Sequence, residues 1–130
     1  MRKKPRTLLF DLDGTMVDTD ALHLSAYNQL LAPFGRHMDP RYYKSNVMGF
    51  PNDRIMTALF PDHGASDHAA FAATKEQAFR ASIDRLEPLP GLLALLDWAD
   101  SVGSARAVVT NAPRDNAELM LRGLGLTDRF

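Results

Sequence analysis

The run Leu8-Leu9-Phe10-Asp11-Leu12-Asp13-Gly14-Thr15 restricts this chain more than any other stretch. Leu8, Leu9 and Phe10 read as a short strand buried on both faces, where apolar residues run without alternation. A strand of that kind has no reason to end in paired acids unless they are used there. In open α/β sheets, ligands sit beyond the carboxyl ends of strands, which is where Asp11 and Asp13 fall. Gly14 permits a tight backbone exit, and Thr15 offers a hydroxyl to an anion. The plain alternative is a turn in which Asp11 and Asp13 only cap backbone N–H groups. Asp-x-Asp alone is common; the apolar strand running into D-x-D-G-T is the specific signal.

These residue types in this order suit phosphoryl transfer through an aspartyl phosphate. One carboxylate attacks phosphorus, while a second protonates the leaving oxygen and later activates water. Neighbouring carboxylates repel, so a bound cation is expected to hold them and to offset the phosphate charge.

At this motif the sequence resembles the haloacid dehalogenase superfamily of phosphohydrolases. The resemblance implies Asp11 as nucleophile and Asp13 as general acid/base. It also implies Mg2+ held by both, with Asp13 contributing its main-chain carbonyl. The continuation Met16-Val17-Asp18-Thr19-Asp20 is similar to the V-D-[ST] run of the subgroup with a helical cap inserted after the first motif. Phosphoglycolate phosphatases and β-phosphoglucomutases belong to that subgroup. The presence of Asp13 argues against the dehalogenase branch, which lacks the second acid.

The rest of the chain reads as helices around a second strand. Asp20 to Phe34 carries a helical stripe of Leu24, Tyr27, Leu31 and Phe34, with Asp18 or Thr19 as N-cap and Pro33 and Gly35 closing it. His23 lies near the start of this helix, one turn beyond the motif, and is a candidate for contact with substrate; a lone helical His is otherwise structural or solvated. Met38 to Asn46 is a short helix with Pro40 in its first turn. Met48-Gly49-Phe50-Pro51 breaks the chain, and a further helix runs from Pro51 or Asn52 to Leu59. A long helix runs from Ser66 to about Leu86, with Phe71, Ala78, Phe79 and Ile83 inward. By resemblance, residues 19–86 are an all-helical cap, and residues 1–18 and 87–130 belong to a parallel-sheet core of Rossmann-like α/β class.

Leu86-Glu87-Pro88-Leu89-Pro90-Gly91 is a stiff linker that resembles the family's return to its core. A helix follows from Leu92 to Val102, striped by Leu92, Leu95, Leu96, Ala99 and Val102 and stopped by Gly103. Ala105 to Thr110 reads as a second buried strand that ends in Thr110-Asn111. Strand order places Thr110 beside Asp11 at one sheet edge. The resemblance makes Thr110 the hydroxyl that binds the transferring phosphoryl oxygen, with Asn111 as a neighbouring amide; a helix cap ahead of Pro113 is the structural alternative. Asp115 to Leu124 is a last helix, with Ala117, Met120, Leu121 and Leu124 inward, and a loop follows from Thr127.

Composition narrows the partners. A net charge of −1 over 130 residues predicts no nucleic-acid or membrane surface. Arg2, Lys3, Lys4 and Arg6 read as a solvated leader. With no Cys there is no disulfide and no thiolate metal site, which fits a reducing cytoplasm. No apolar run approaches a membrane span.

The resemblance also implies a Lys and further metal-binding acids on later strands. Lys44 and Lys75 fall in the cap region and do not match that Lys. The sequence therefore looks like the front portion of a longer enzyme, or a truncation. Such a chain is expected to bind Mg2+ poorly alone, and to self-associate through an open strand edge. The expected activity is a Mg2+-dependent phosphatase of a small phosphorylated metabolite. The alternatives are a sugar-phosphate mutase and an inactive fragment that only binds. Mutases of the subgroup carry Lys before the cap glycine and Arg shortly after it, where this chain has Met48 and Asn52. Arg54 reads as a surface helix charge.

Overall fold

In a computed structural model of the protein, residues 7–83 and 86–130 are described. The basic leader at Arg2, Lys3, Lys4 and Arg6 lies outside the described residues, as do positions 84 and 85. The chain is mixed α/β and mostly helical, and it divides into two compact units. One unit is the contiguous segment Asp20–Ile83; the flanking segments on either side of it form the other.

The flanking unit holds the sheet. Strand β1 (Thr7–Phe10) pairs in parallel with β2 (Ala105–Val108), in the register Thr7↔Ala105 through Phe10↔Val108. Val109 N–H donates to Phe10 carbonyl at 2.8 Å and extends the ladder by one bond. Covering on both faces does not hold. Phe10 is buried, and its ring meets that of Phe130 edge-on at 5.6 Å, but Leu9 is 69% exposed and Val109 59%. Successive strand residues face opposite ways, so a two-stranded sheet packed on one side leaves Leu9 outward. Helix α5 (Leu92–Ser101) supplies Leu92, Leu96 and Ala99 to this core. Leu95, expected inward, is exposed. The last helix, α6 (Arg114–Gly123), buries Met120 and, unexpectedly, Asn116. A 3₁₀ turn at Thr127–Arg129 stands where a loop was expected. It is tied back by Arg129, which donates to Asp97 and Asp100, and by Arg106 Nε, which donates to the Arg129 carbonyl at 2.7 Å. A separate hydrogen bond from the Arg106 guanidinium to Asp100 is the main cause that holds the Asp100 carboxyl below its usual range.

The segment Asp20–Ile83 is a helical unit. Helix α1 (Asp20–Leu31) ends before Pro33, and the predicted continuation to Phe34 is a 3₁₀ turn. Pro33 has no N–H to give an α-helical bond, so the last turn tightens. Helix α2 (Pro40–Asn46) starts two residues later than expected, because Asp39 caps it by accepting from Tyr42 N–H at 2.7 Å. Met38 stays outside that helix but inside the core, its backbone bracketed by the Asn28 amide at 2.7 and 3.1 Å. Helix α3 (Asn52–Leu59) buries Ile55, Met56 and Leu59. Helix α4 (Ala65–Ala81) packs on α1 and α3. It stops before Leu86, and of its expected inward residues only Phe79 is fully buried; Phe71, Ala78 and Ile83 (the last just beyond the helix) are half-buried. Lys75 and Glu76 occupy the buried positions instead.

Phe79→Ala is expected to destabilise the protein by about 3–5 kcal/mol, the usual cost of emptying a buried aromatic site. Leu95→Ala, on an exposed face, should stay within about 0.5 kcal/mol. Urea denaturation checks both, and equal losses would contradict this packing. Among the described residues no helix is long and apolar enough to cross a membrane.

Candidate active site

The turn after β1 is built by alternation. Leu12, Met16 and Val17 are buried, so the chain between them turns Asp11, Gly14 and Thr15 toward solvent, with Asp13 half-buried. Met16 N–H and Thr15 N–H both donate to the Leu12 carbonyl, at 2.9 and 3.2 Å, and Gly14 N–H donates to Val17 carbonyl at 2.8 Å. Gly14 stands at φ 74 with open space where a Cβ would be. Its role is therefore backbone conformation, since a side chain there would be strained though not crowded. Its N–H and that of Thr15 are spent inside the turn, which leaves the Thr15 hydroxyl as that residue's means of meeting an anion.

Asp11 Oδ1 accepts from Leu12 N–H at 2.7 Å. Asp13 Oδ1 accepts a short hydrogen bond from the hydroxyl of Thr19, which is buried. Thr19, expected with Asp18 as a candidate helix cap, also orients the second acid. Only its place in the V-D-T run, six residues after Asp13, hinted at this. The chain then leaves and returns side by side. Val17 bridges Pro88 in antiparallel sense, and Leu89 N–H donates to Met16 carbonyl at 2.9 Å.

The parallel register carries Thr110 and Asn111 out at the same sheet edge as Asp11 and Asp13. Thr110 Oγ1 accepts from Ala112 N–H at 3.1 Å, an internal turn, and α6 has no side-chain cap at its start. A hydroxyl that accepts in this way keeps its own proton to donate to another oxygen. Asn111 is exposed.

His23 belongs to the helical unit, on α1. Its ring stacks on Phe79, with centroids 4.0 Å apart and planes 2° from parallel. Its Nδ1 lies 2.9 Å from Lys75 Nζ. Sequence reading placed Lys75 only as a mismatch to a family lysine and missed its burial. No group of three or more His, Asp or Glu able to hold a metal occurs among the described residues. Asp11 and the Asp13 carbonyl are hard oxygen donors and fit part of a Mg2+ shell, which favours oxygen ligands and keeps several waters.

The family model for haloacid dehalogenase-like hydrolases matches residues 8–130. The chain belongs to this family. A phosphoglycolate phosphatase of Xylella fastidiosa is 33% identical over 126 residues, covering 96% of this chain and 55% of that protein. The fructose-1-phosphate phosphatase YqaB of Escherichia coli is 33% identical over 125 residues, covering 95% and 65%. Among solved structures, CbbY of Rhodobacter sphaeroides in complex with phosphate superposes with a TM-score of 0.83 at 25% identity, covering 97% of this chain and 61% of that one. A β-phosphoglucomutase of Clostridium difficile superposes at 0.80 with 25% identity, covering 97% and 59%. The chain thus spans between half and two thirds of the length of these relatives. The fold likeness agrees with a helical-cap member of the haloacid dehalogenase-like hydrolases, as the D-x-D-G-T and V-D-T residues suggested.

Proposed function

We propose that this protein is a phosphatase of small phosphorylated metabolites in the cytoplasm, working through an aspartyl phosphate on Asp11. The observation that carries the reading is the shared sheet edge, where Asp11 and Asp13 emerge from one strand and Thr110 and Asn111 from its parallel neighbour. Phosphatases among the relatives support the reaction class.

In the proposed sequence, the Asp11 carboxylate attacks phosphorus as the bond to the ester oxygen breaks. Asp13, as the acid, gives its proton to that leaving oxygen. Asp13 then takes a proton from water, whose oxygen attacks phosphorus and frees the Asp11 carboxylate and inorganic phosphate. Thr110 donates to a phosphoryl oxygen, with Asn111, Gly14 and Thr15 lining the same edge. Asp11 and the Asp13 carbonyl would hold Mg2+, which when bound would supply positive charge against the phosphoryl oxygens. The helical unit Asp20–Ile83 acts as the cap, and His23 is its contribution to substrate. Exposed Leu9 and Val109 support association of copies through the open face of the incomplete sheet.

A phosphatase is favoured over a mutase by Asn52. It stands where mutases of the subgroup carry Arg, and its amide donates to Glu76 Oε1 at 3.1 Å, inside the helical unit. Arg54 is exposed and stacks over Phe50 at 3.9 Å.

The test is phosphate release by the full-length protein from 2-phosphoglycolate, fructose 1-phosphate and p-nitrophenyl phosphate, with Mg2+ and after chelation. Turnover of at least one ester at about 1–10³ s⁻¹ is expected, the ordinary enzyme range, falling to background with chelator. Interconversion of sugar phosphates without phosphate release would assign a mutase. Binding without any reaction would leave only a phosphate-binding role.

A further inference from the structure

Within the helical unit, residues 35–39 join the 3₁₀ turn Ala32–Phe34 to α2, and this strip is pinned along its length. Gly35 stands at φ 66; its N–H donates to Ala32 carbonyl at 3.0 Å, and Arg36 N–H donates to Leu31 carbonyl at 3.2 Å. The Arg36 side chain reaches the end of α3. There Nη1 donates to Leu59 carbonyl at 2.6 Å, and the guanidinium lies 5.4 Å from the centre of the Phe60 ring. The Asn28 side chain holds both the N–H and the carbonyl of Met38. Asp39 Oδ1 accepts from Tyr42 N–H at 2.7 Å. A cavity of about 170 Å³ lies against this strip. Its apolar lining is Leu31, Met38 and Leu59, all buried; Arg36 and Asp39 supply its charges, both exposed.

A guanidinium has five N–H donors, and among the described residues only one of Arg36's is taken by a hydrogen bond. A carboxylate has two oxygens, and one of Asp39's is taken by the α2 cap. The cavity thus offers one cation and one anion, each held in place and each with bonding capacity left, beside an apolar wall. A phosphate dianion would meet the Asp39 charge, and a purely apolar molecule would leave both ions unused. A molecule with a carboxylate and a neighbouring ammonium satisfies both. The volume is below the roughly 300–1,000 Å³ that takes drug-sized ligands, which keeps the side chain short. We propose that this cavity binds a free α-amino acid with a small apolar side chain, its carboxylate on Arg36, its ammonium on Asp39 and its side chain against Leu31, Met38 and Leu59. Such a ligand joins the ends of α1, α2 and α3 and stabilises the helical unit. None of these residues belongs to the sheet-edge reaction, so the site stands apart from the phosphatase reading.

L-Valine is the probe, titrated into the nitrogen-labelled full-length protein and followed by backbone amide spectra. Saturable shifts at millimolar L-valine are expected in residues 35–39, Tyr42 and Leu59. Isovalerate lacks the ammonium and isobutylamine lacks the carboxylate; each should bind at least about tenfold more weakly, the step for one lost charge-assisted hydrogen bond. Asp39→Asn keeps an oxygen for Tyr42 N–H and so keeps the cap. It should weaken L-valine by about tenfold and bring isovalerate level with it. Arg36→Met should weaken both carboxylates. No shift at millimolar L-valine, or L-valine binding unchanged in Asp39→Asn, would overturn the proposal. Inorganic phosphate moving the same amides at lower concentration than L-valine would also overturn it, and would assign an oxyanion site. The wild-type comparison of the three probes decides even where Arg36→Met fails to fold. Absence of phosphate release, with L-valine bound as expected, would sink the phosphatase reading alone.

Discussion

Asp11→Asn is expected to reduce phosphate release to background, a loss on the order of 10⁶ as for removal of a covalent nucleophile. An amide cannot attack phosphorus, so no phosphoenzyme should form. The substitution leaves the local structure almost untouched. Asp11 is exposed, and in the turn its Oδ1 accepts from Leu12 N–H, which an amide oxygen also does. Stability in urea should therefore match the wild type, and the loss should be one of chemistry alone. Steady-state phosphate release, together with mass spectrometry of acid-quenched protein, checks both halves. Full turnover by the Asn variant would remove Asp11 from the nucleophile's role.

The second large effect is at Asp13. Asp13→Asn should lower the rate by about 10²–10⁴, the range for a lost general acid/base. Aryl phosphates, whose leaving oxygens need little protonation, should suffer less than alkyl phosphates. The carboxyl is oriented by the Thr19 hydroxyl, and an Asn can still accept that bond. Asp13→Ala cannot, and it leaves a buried hydroxyl unsatisfied at a cost of about 1–3 kcal/mol. The two variants should thus share a rate defect and differ in stability. A loss equal across leaving groups would mean that Asp13 holds structure or metal and moves no proton.

The sequence by itself determined the sheet-edge motif, because the turn after β1 is encoded locally. Leu12, Met16 and Val17 need burial, Gly14 supplies the positive φ, and period-2 alternation then turns the acids outward. The helices were legible for the same reason, since Asp39, Pro40, Pro33 and Gly103 mark their ends through backbone chemistry within a turn. Thr110 and Asn111 were legible as strand-end polar residues, and the parallel register brought them to the edge they were expected to share.

Only the tertiary structure decided how the polar interior is wired. The sequence marked Lys75 only as a cap-region lysine and did not single out Glu76, yet both are buried because His23, Asn52 and the Tyr27 ring arrive from other helices to satisfy them. No local pattern carries that, because the favourable burial of a charge depends on partners dozens of residues away. Thr19 is the same case at short range: a good cap by type, its hydroxyl also donates to Asp13 once the turn folds back. Leu9 and Val109 show the converse. Their apolar character marks them for burial, but whether a strand face is covered depends on what packs against the sheet, and here that face is open.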